Sequence, residues 1–449
     1  MTTLAFRRFL TATLCVAALG HAHDAAALGL LQAYEAALAN DPAYRAAVHE
    51  NAAGQQYKVL GRAHLLPSLS ANYSTNKNQA DITTTSVLGD KTDHRNYTSR
   101  AASIQLRQPL LHLEGMARYR QGIAQTNASD AQFSVRRQDL IVRLVSLYVS
   151  AQYAQDQLAQ ATAQRDAYAE QRLSVKRMLQ SGEGTKTDVL ETQAKFDMSL
   201  AQVIEARDNI ANAHSALEAM VGQEITTLDP LSDEFRTRPM QPAHFDEWKE
   251  KALAHNPEII TQRYLVQAAR EEVNKNQAGH APRLDLIASA SSNRSDTINT
   301  FNQDANIRSI GVQLTIPLYA GGSVSAATRQ AVSNHEKTLA DLDAKTSEVL
   351  VELRKQYNLA LSSVSRIGAT DQFLSSALLL VDATQKSVKG GQRTNLDVLN
   401  AQQQLYEARR DLALSRFNYL LGFLRLRYAA GTLGMADLQD ISAYFVAGN

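Results

Sequence analysis

The sequence predicts an α+β membrane protein. Each chain contributes four short strands to a trimeric transmembrane β-barrel, which continues into a long α-helical barrel. Three observations lead there. An export leader opens the chain, the rest repeats itself once, and each repeat pairs two half-apolar strands with a very long helical tract.

The leader is residues 1–27. Arg7 and Arg8 give a positive start, Phe9–Leu19 is apolar but too short to span a membrane, and Ala25–Ala27 is a small-residue cleavage pattern. A cut after Ala22 is the alternative. Cys15, the only cysteine, sits inside this leader, so the expected mature chain has no disulfide and no thiol chemistry. Removing Arg7, Arg8 and Asp24 takes the net charge from +1 to zero, which gives no general pull toward nucleic acid or anionic surfaces. No later apolar run reaches the ~20 residues of a membrane helix, so any membrane-embedded part is made of strands.

The repeat is clearest at two stretches, Ser181–Ala194 (SGEGTKTDVLETQA) and Lys389–Gln402 (KGGQRTNLDVLNAQ). Each reads as a helical hairpin tip, with glycines ending one helix and a Thr-x-x-Asp signature starting the next. Thr185 stands where Thr394 does, and Asp188 where Asp397 does. Ala37–Pro42 likewise matches Ala252–Pro257, and Gln108-Pro109-Leu110 answers Ile316-Pro317-Leu318. The first repeat is therefore 28–222 and the second 245–434, joined by a Pro-rich linker at 223–244 and followed by a tail at 435–449.

Each repeat starts with a helix, predicted at Leu30–Ala63 and Phe245–Gln277. Next come two alternating segments, Ser68–Ser74 with Ser103–Arg107, and Leu284–Ser291 with Ile310–Ile316. Apolar residues on every second position put oil on one face and water on the other. A soluble sandwich gives the same alternation, but the leader and the helices that follow favour a transmembrane barrel. The polar stretches between them, Thr75–Thr98 and Ser292–Ile307, are predicted as exposed loops outside the cell. Leu111–Gln180 then runs for about 70 residues, ~105 Å of helix. One apolar line follows Leu140, Leu144, Leu147, Ala151, Ala154, Leu158 and Ala161, and continues through Arg165, Tyr168, Arg172, Val175 and Leu179. Ile141, Val145 and Tyr148 form a second line beside it, as coiled-coil packing on two sides requires. Ser323–Lys389 and Leu396–Tyr428 are predicted as the second hairpin.

Four strands cannot close a barrel, and open strand edges are not tolerated in lipid. The chain must therefore oligomerise, and three copies would supply twelve strands around one axis.

The order of parts, the phrase GGQRTNLDVLNAQQQLYEARRDLALSRFNYLL and IPLYAGG at Ile316–Gly322 resemble the TolC family of outer-membrane export channels. The resemblance covers essentially all of Leu28–Leu433. It implies a homotrimeric conduit in the bacterial outer membrane with its helical part in the periplasm. Its implied partners are a periplasmic adaptor protein and an inner-membrane transporter of ABC, RND or MFS type, with drugs or secreted polypeptides as cargo.

The resemblance also implies a gate. Thr187 and Asp188 in the first tip match residues linked to an arginine in the second, which is Arg393 here. The plain alternative is that Asp188 only favours its helix N-terminus, worth ~0.3–1 kcal/mol, with Arg393 solvated. The family's tyrosine five residues before that arginine is Val388 in this chain. Asp397 would face the entrance as a ring of carboxylates, or simply cap with Thr394; a second family aspartate is replaced by Asn400. Gly182, Gly184, Gly390 and Gly391 turn the chain at the tips and would allow close approach by an adaptor.

Other chemistries find no support. Nine scattered histidines in the mature chain give no metal-ligand spacing, and there is no phosphate loop or nucleophile elbow, so no enzyme, cofactor or metal is expected. Two rival readings remain, a periplasmic helical-hairpin adaptor and a structural coiled-coil surface protein. Neither needs two hairpins together with four half-apolar strands.

Overall fold

The computed structural model describes residues 27–446 apart from 88, 233, 298 and 299, with backbone alone for 295–297 and 300–302. The expected signal peptide and Cys15 lie outside the described residues. The order of elements is α1 (Leu30–Asn40), α2 (Pro42–Gly54), α3 (Gln56–Ala63), β1 (Ser68–Ser86), β2 (Gly89–Leu111), α4 (Leu113–Gln180) and α5 (Lys186–Val221). The second half follows with α6 (Phe245–His255), α7 (Pro257–Gln277), β3 (Arg283–Thr297), β4 (Thr300–Thr315), α8 (Ser323–Lys389), α9 (Asn395–Ala429) and α10 (Met435–Ser442).

The leading helix of each half is broken where the sequence suggested one piece. Asp41 and Asn256 sit in extended backbone and cap the next helix, each followed by proline at the first helical position. Asp41 Oδ2 accepts from Tyr44 N at 3.0 Å, and Asn256 Oδ1 from Glu258 N and Ile259 N at 2.9 and 3.2 Å. A capping side chain plus a proline that cannot continue the preceding ladder makes a corner in both copies.

The strands are much longer than expected. They form one antiparallel sheet in the order β1-β2-β3-β4. Pairing runs from Ser68↔Arg107 to Ser86↔Gly89, so the stretch Thr75–Thr98 is ladder rather than loop. Residues 292–297 and 300–307 are likewise strand. The oil-and-water alternation marks only the lower part of each strand. Beyond it both faces are polar and Thr- or Asn-rich, yet β-branched threonines and cross-strand pairs such as Thr83–Thr92 at 2.9 Å still hold the pairing.

On the sheet's apolar face Leu69, Tyr73, Ile104, Ile310, Val312 and Leu314 are 52–77% exposed. The opposite face carries Ser70, Asn72, Ser103, Gln105, Ser289 and Ser309, with Ser289 and Ser309 bonded at 2.7 Å. At the sheet's root on that face, fully buried Asp285 accepts from Arg107 at 2.8 Å and from Arg283 at 3.0 Å.

The helices pack as two antiparallel hairpins, α4 with α5 and α8 with α9, tied together along α4–α9 and through α7 against α4 and α8. The core sits at the waist, next to the corners. Leu140, Leu144, Val145 and Tyr148 of α4 are wholly buried there with Leu217, Val221, Leu420 and Leu424. Both predicted apolar lines of α4 are thus inside, each large side chain contributing ~1.5–3 kcal/mol. Nearer the tip the first line thins, with Tyr168 and Val175 2% exposed but Leu179 39% exposed.

Tyr148 also fastens the residues just before α1 to the stretch read as a linker. Its hydroxyl donates to Leu28 O at 2.9 Å and accepts from Asp229 N at 3.1 Å, next to the parallel bridge Leu28↔Leu228. Burial pushes that phenol far above its usual range. The tail joins the same region through the bridge Leu231↔Phe445 and the Tyr148–Phe445 edge contact at 5.2 Å. No helix among the described residues is long and apolar enough to cross a membrane.

Candidate gate at the hairpin tips

Both tips are built from the same two backbone devices. At the first, Gly182 N bonds Leu179 O at 3.2 Å and Glu183 N bonds Met178 O at 2.9 Å, with Gly182 at φ +83°. At the second, Gly391 N bonds Val388 O and Gln392 N bonds Ser387 O, both at 3.0 Å, with Gly391 at φ +73°. These are paired C-terminal bonds that satisfy the last helical carbonyls around a left-handed residue. Gly182 and Gly391 are therefore required by backbone conformation. At Gly184 a Cβ would lie 3.0 Å from Leu179 N, closer than ordinary contact, so a larger residue there would press on the preceding turn. Gly390 meets neither condition, and Ser181 occupies its place in the first tip.

The return helices start with matching capping boxes. Asp188 Oδ2 accepts from Thr185 N and Oγ1 at 3.0 and 2.6 Å, while Asp188 N donates to Thr185 Oγ1 at 3.1 Å. Asp397 Oδ2 accepts from Thr394 N and Oγ1, both at 2.9 Å. The Thr394 backbone N–H, then its hydroxyl and then the charge of Arg393 hold the Asp397 carboxyl below its usual range. Thr187 and Arg393 are exposed. Within one chain no ion pair joins Asp188 to Arg393 among the described residues; the arginine acts on the aspartate of its own tip.

What does join the hairpins was not anticipated from sequence. Asn395, the first residue of α9, accepts from Gln171 of α4 and donates to Thr192 Oγ1 of α5 at 3.0 Å. Thr192 is fully buried, and its hydroxyl donates a hydrogen bond to Asp188 O at 2.8 Å. Further up, Lys195 Nζ donates to Gln403 Oε1 at 2.7 Å. Arg172, placed on the α4 apolar line, lies 4.2 Å over the Phe196 ring and bonds Gln193 at 3.3 Å. The signal for the link was faint. Asn395 aligns with Lys186 and Thr192 with Ala401, so it appears only as a departure from the repeat. The described residues contain no group of acidic, histidine or cysteine side chains that could hold a metal ion.

Comparison with known proteins agrees with this architecture. The family described as "Outer membrane efflux protein" matches residues 33–223 and 248–432, one block in each repeat. The chain is 45% identical over 427 residues to the alkaline protease secretion protein AprF of Pseudomonas aeruginosa, covering 95% of this chain and 89% of that protein. It is 40% identical to the proteases secretion protein PrtF of Dickeya chrysanthemi, covering 94% and 92%. Against the outer membrane protein TolC of Escherichia coli the identity is 29%, covering 92% and 84%. Among solved structures, the outer-membrane channel OprN superposes with a TM-score of 0.78 at 18% identity over 90% of each chain, and a CusC structure with 0.77 at 17% over 90% and 92%. These last two show the fold. The chain belongs to the outer membrane efflux protein family, and is a bacterial outer-membrane export channel whose helical part stands in the periplasm.

Proposed function

We propose that three copies of this chain close into one conduit and serve as the exit duct of a tripartite exporter for secreted polypeptides. The observation that carries the trimer is the four-stranded sheet itself, with β1 and β4 left as edges and one face of exposed apolar side chains. Pairing β4 of one copy with β1 of the next removes every edge and completes a twelve-stranded barrel. The cargo class rests on two relatives above 30% identity, both named for protease secretion. Energy would come from an inner-membrane transporter acting through a periplasmic adaptor, which the exposed tips around Gly182, Gly184, Gly390 and Gly391 would receive.

At rest the tips close the tunnel. Asp188 and Thr187 of one hairpin meet Arg393 of a neighbouring hairpin in the assembled ring, and Asp397 adds a carboxylate from each copy to the entrance. The test is deletion of the gene in its own host, followed by measurement of proteolytic activity in the medium and in the cells. Loss of secreted activity, restored by the intact gene, supports the duct for polypeptides. Normal secretion combined with sensitivity to small toxic compounds would move the cargo to drugs.

A further inference from the structure

The apolar band of the sheet ends differently at its two rims. Toward the helices the band runs out without a charge on its face: Leu284 on β3 and Ile316 beyond β4 are still apolar, and Gln108 on β2 is neutral. Toward the hairpin turns, every strand places a cation on the outward face just past its last apolar residue. On β1 it is Lys77, beyond Tyr73; on β2 it is Arg100, beyond Ala102 and Ile104. On β3 it is Arg294, beyond Ala290; on β4 it is Arg308, next to Ile310. Register confirms the shared face, since Arg100 pairs with Arg294 and Thr75, and Arg308 with Ala290.

All four are exposed. Arg294 is offset by Asp304 at 3.2 Å, and the next acid outward on β1, Asp81, is bonded to His94. Lys77, Arg100 and Arg308 have no carboxylate partner among the described residues. Like charges set side by side on a sheet repel, Arg100 facing Arg294 most directly, so the belt costs stability unless something anionic covers it. The hairpin-turn rim is the one away from the periplasmic helices, hence in the outer leaflet.

We propose that this belt binds the phosphate groups of a phosphorylated glycolipid in the outer leaflet, with its acyl chains lying along the apolar band below. Guanidinium groups take phosphate oxygens in pairs, and a juxtamembrane cation contributes about fivefold to binding of anionic lipid. The coincidence of a cation row with the edge of an exposed acyl-binding face is what selects a lipid over a free anion.

The test uses the full-length channel in detergent, with bound lipid counted by native mass spectrometry. The probes are a diphosphorylated acyl-disaccharide lipid and the same lipid stripped of phosphate. The phosphorylated form should bind and resist millimolar inorganic phosphate. The triple change Lys77→Gln, Arg100→Gln, Arg308→Gln should weaken it by about fivefold per site, while Arg100→Lys with Arg308→Lys keeps most of it. Lys91→Gln, in the same hairpin but on the other face, should change nothing. Equal binding of the two lipids, displacement by free phosphate, or an equal loss with Lys91→Gln overturns the proposal. Should the triple variant fail to assemble, the lipid pair and the lysine variants decide it.

Discussion

The two halves of the chain agree where the backbone must turn and disagree where side chains must meet. Each tip has its left-handed glycine and its Thr-x-x-Asp cap, and each waist corner has its capping side chain and proline. Each return helix also ends on a left-handed glycine, Gly222 at φ +75° and Gly431 at φ +70°. Across the tips the pattern diverges, with Gly184 against Arg393, Lys186 against Asn395 and Thr192 against Ala401. Duplication supplies two copies of one scaffold, but a bond between the copies needs unlike partners. Those are the positions where the repeat has drifted.

The largest expected contrast lies in the shared joint. A Cβ on Gly431 would lie 2.4 Å from Asn256 Cα and 2.6 Å from His255 O, which are backbone and cannot move aside. On Gly222 the nearest atoms belong to the Asn40 side chain, at 2.6 Å and beyond, which can rotate at the cost of its 2.8 Å bond to Val221 O. Gly431→Ala should therefore cost about 3–4 kcal/mol and Gly222→Ala about 1–2 kcal/mol, read from denaturant unfolding of the solubilised channel. Equal losses would break the comparison and place the strain in φ alone.

The latch is the next effect in size. Asp188→Ala removes both the cap and any ion pair, whereas Asp188→Asn keeps the cap's acceptor oxygen and removes the charge. Each exposed pair is worth ~0–1 kcal/mol, so three acting together give up to ~3 kcal/mol and roughly a hundredfold in a closed–open equilibrium. Arg393→Ala and Asp188→Asn should both raise single-channel conductance in bilayers, and the double change should add little. A silent Asp188→Asn would reduce Asp188 to the capping role that its bonds to Thr185 already display.

How much of this could be read beforehand follows from the range of each interaction. Capping, glycine turns and the α4 apolar lines are local, and the residues that carry them lie within a turn or two, so they were legible. Strand length was not, because threonine and asparagine on two polar faces give no period, although the ladder from Thr75↔Arg100 to Ser86↔Gly89 is continuous. The break at Asp41 and Asn256 was written as Asp-Pro and Asn-Pro, and needed only to be read as a cap. The Gln171–Asn395–Thr192 link spans more than 200 positions and had no local trace.

That link sharpens the comparison at a smaller scale. Asn395→Ala removes two hydrogen bonds between hairpins, each worth ~0.5–1.5 kcal/mol net. Thr192 keeps its bond to Asp188 O, so no buried group is orphaned. The two bonds together amount to ~1–3 kcal/mol, roughly fivefold to a hundredfold in a closed–open equilibrium, so conductance should rise. Lys186→Ala, its counterpart in the first tip, should leave the channel closed. If both behave alike, the asymmetry between the tips is incidental.

The smallest effect concerns the entrance charge. Asp397 is present and the position three residues on is Asn400, so an assembled ring would hold one carboxylate per copy. Multivalent cations should block weakly from the periplasmic side, and Asn400→Asp should tighten that block severalfold, because charges closer than the ~10 Å Debye length stay coupled. The pH profile separates the ring from the cap. The Thr394 bonds and Arg393 depress the folded-state Asp397 pKa, so the carboxylate stays charged as pH falls past its ordinary value near 3.9. Its contribution is therefore present above that value and is lost only as pH drops through the lower, folded value. Block by the parent channel should persist as pH falls past the ordinary aspartate value, while the extra block from Asn400→Asp, whose new carboxylate lacks such a cap, should fade at higher pH. If the two fade together, or if Asn400→Asp leaves block unchanged, Asp397 does not line the constriction and serves only to start α9.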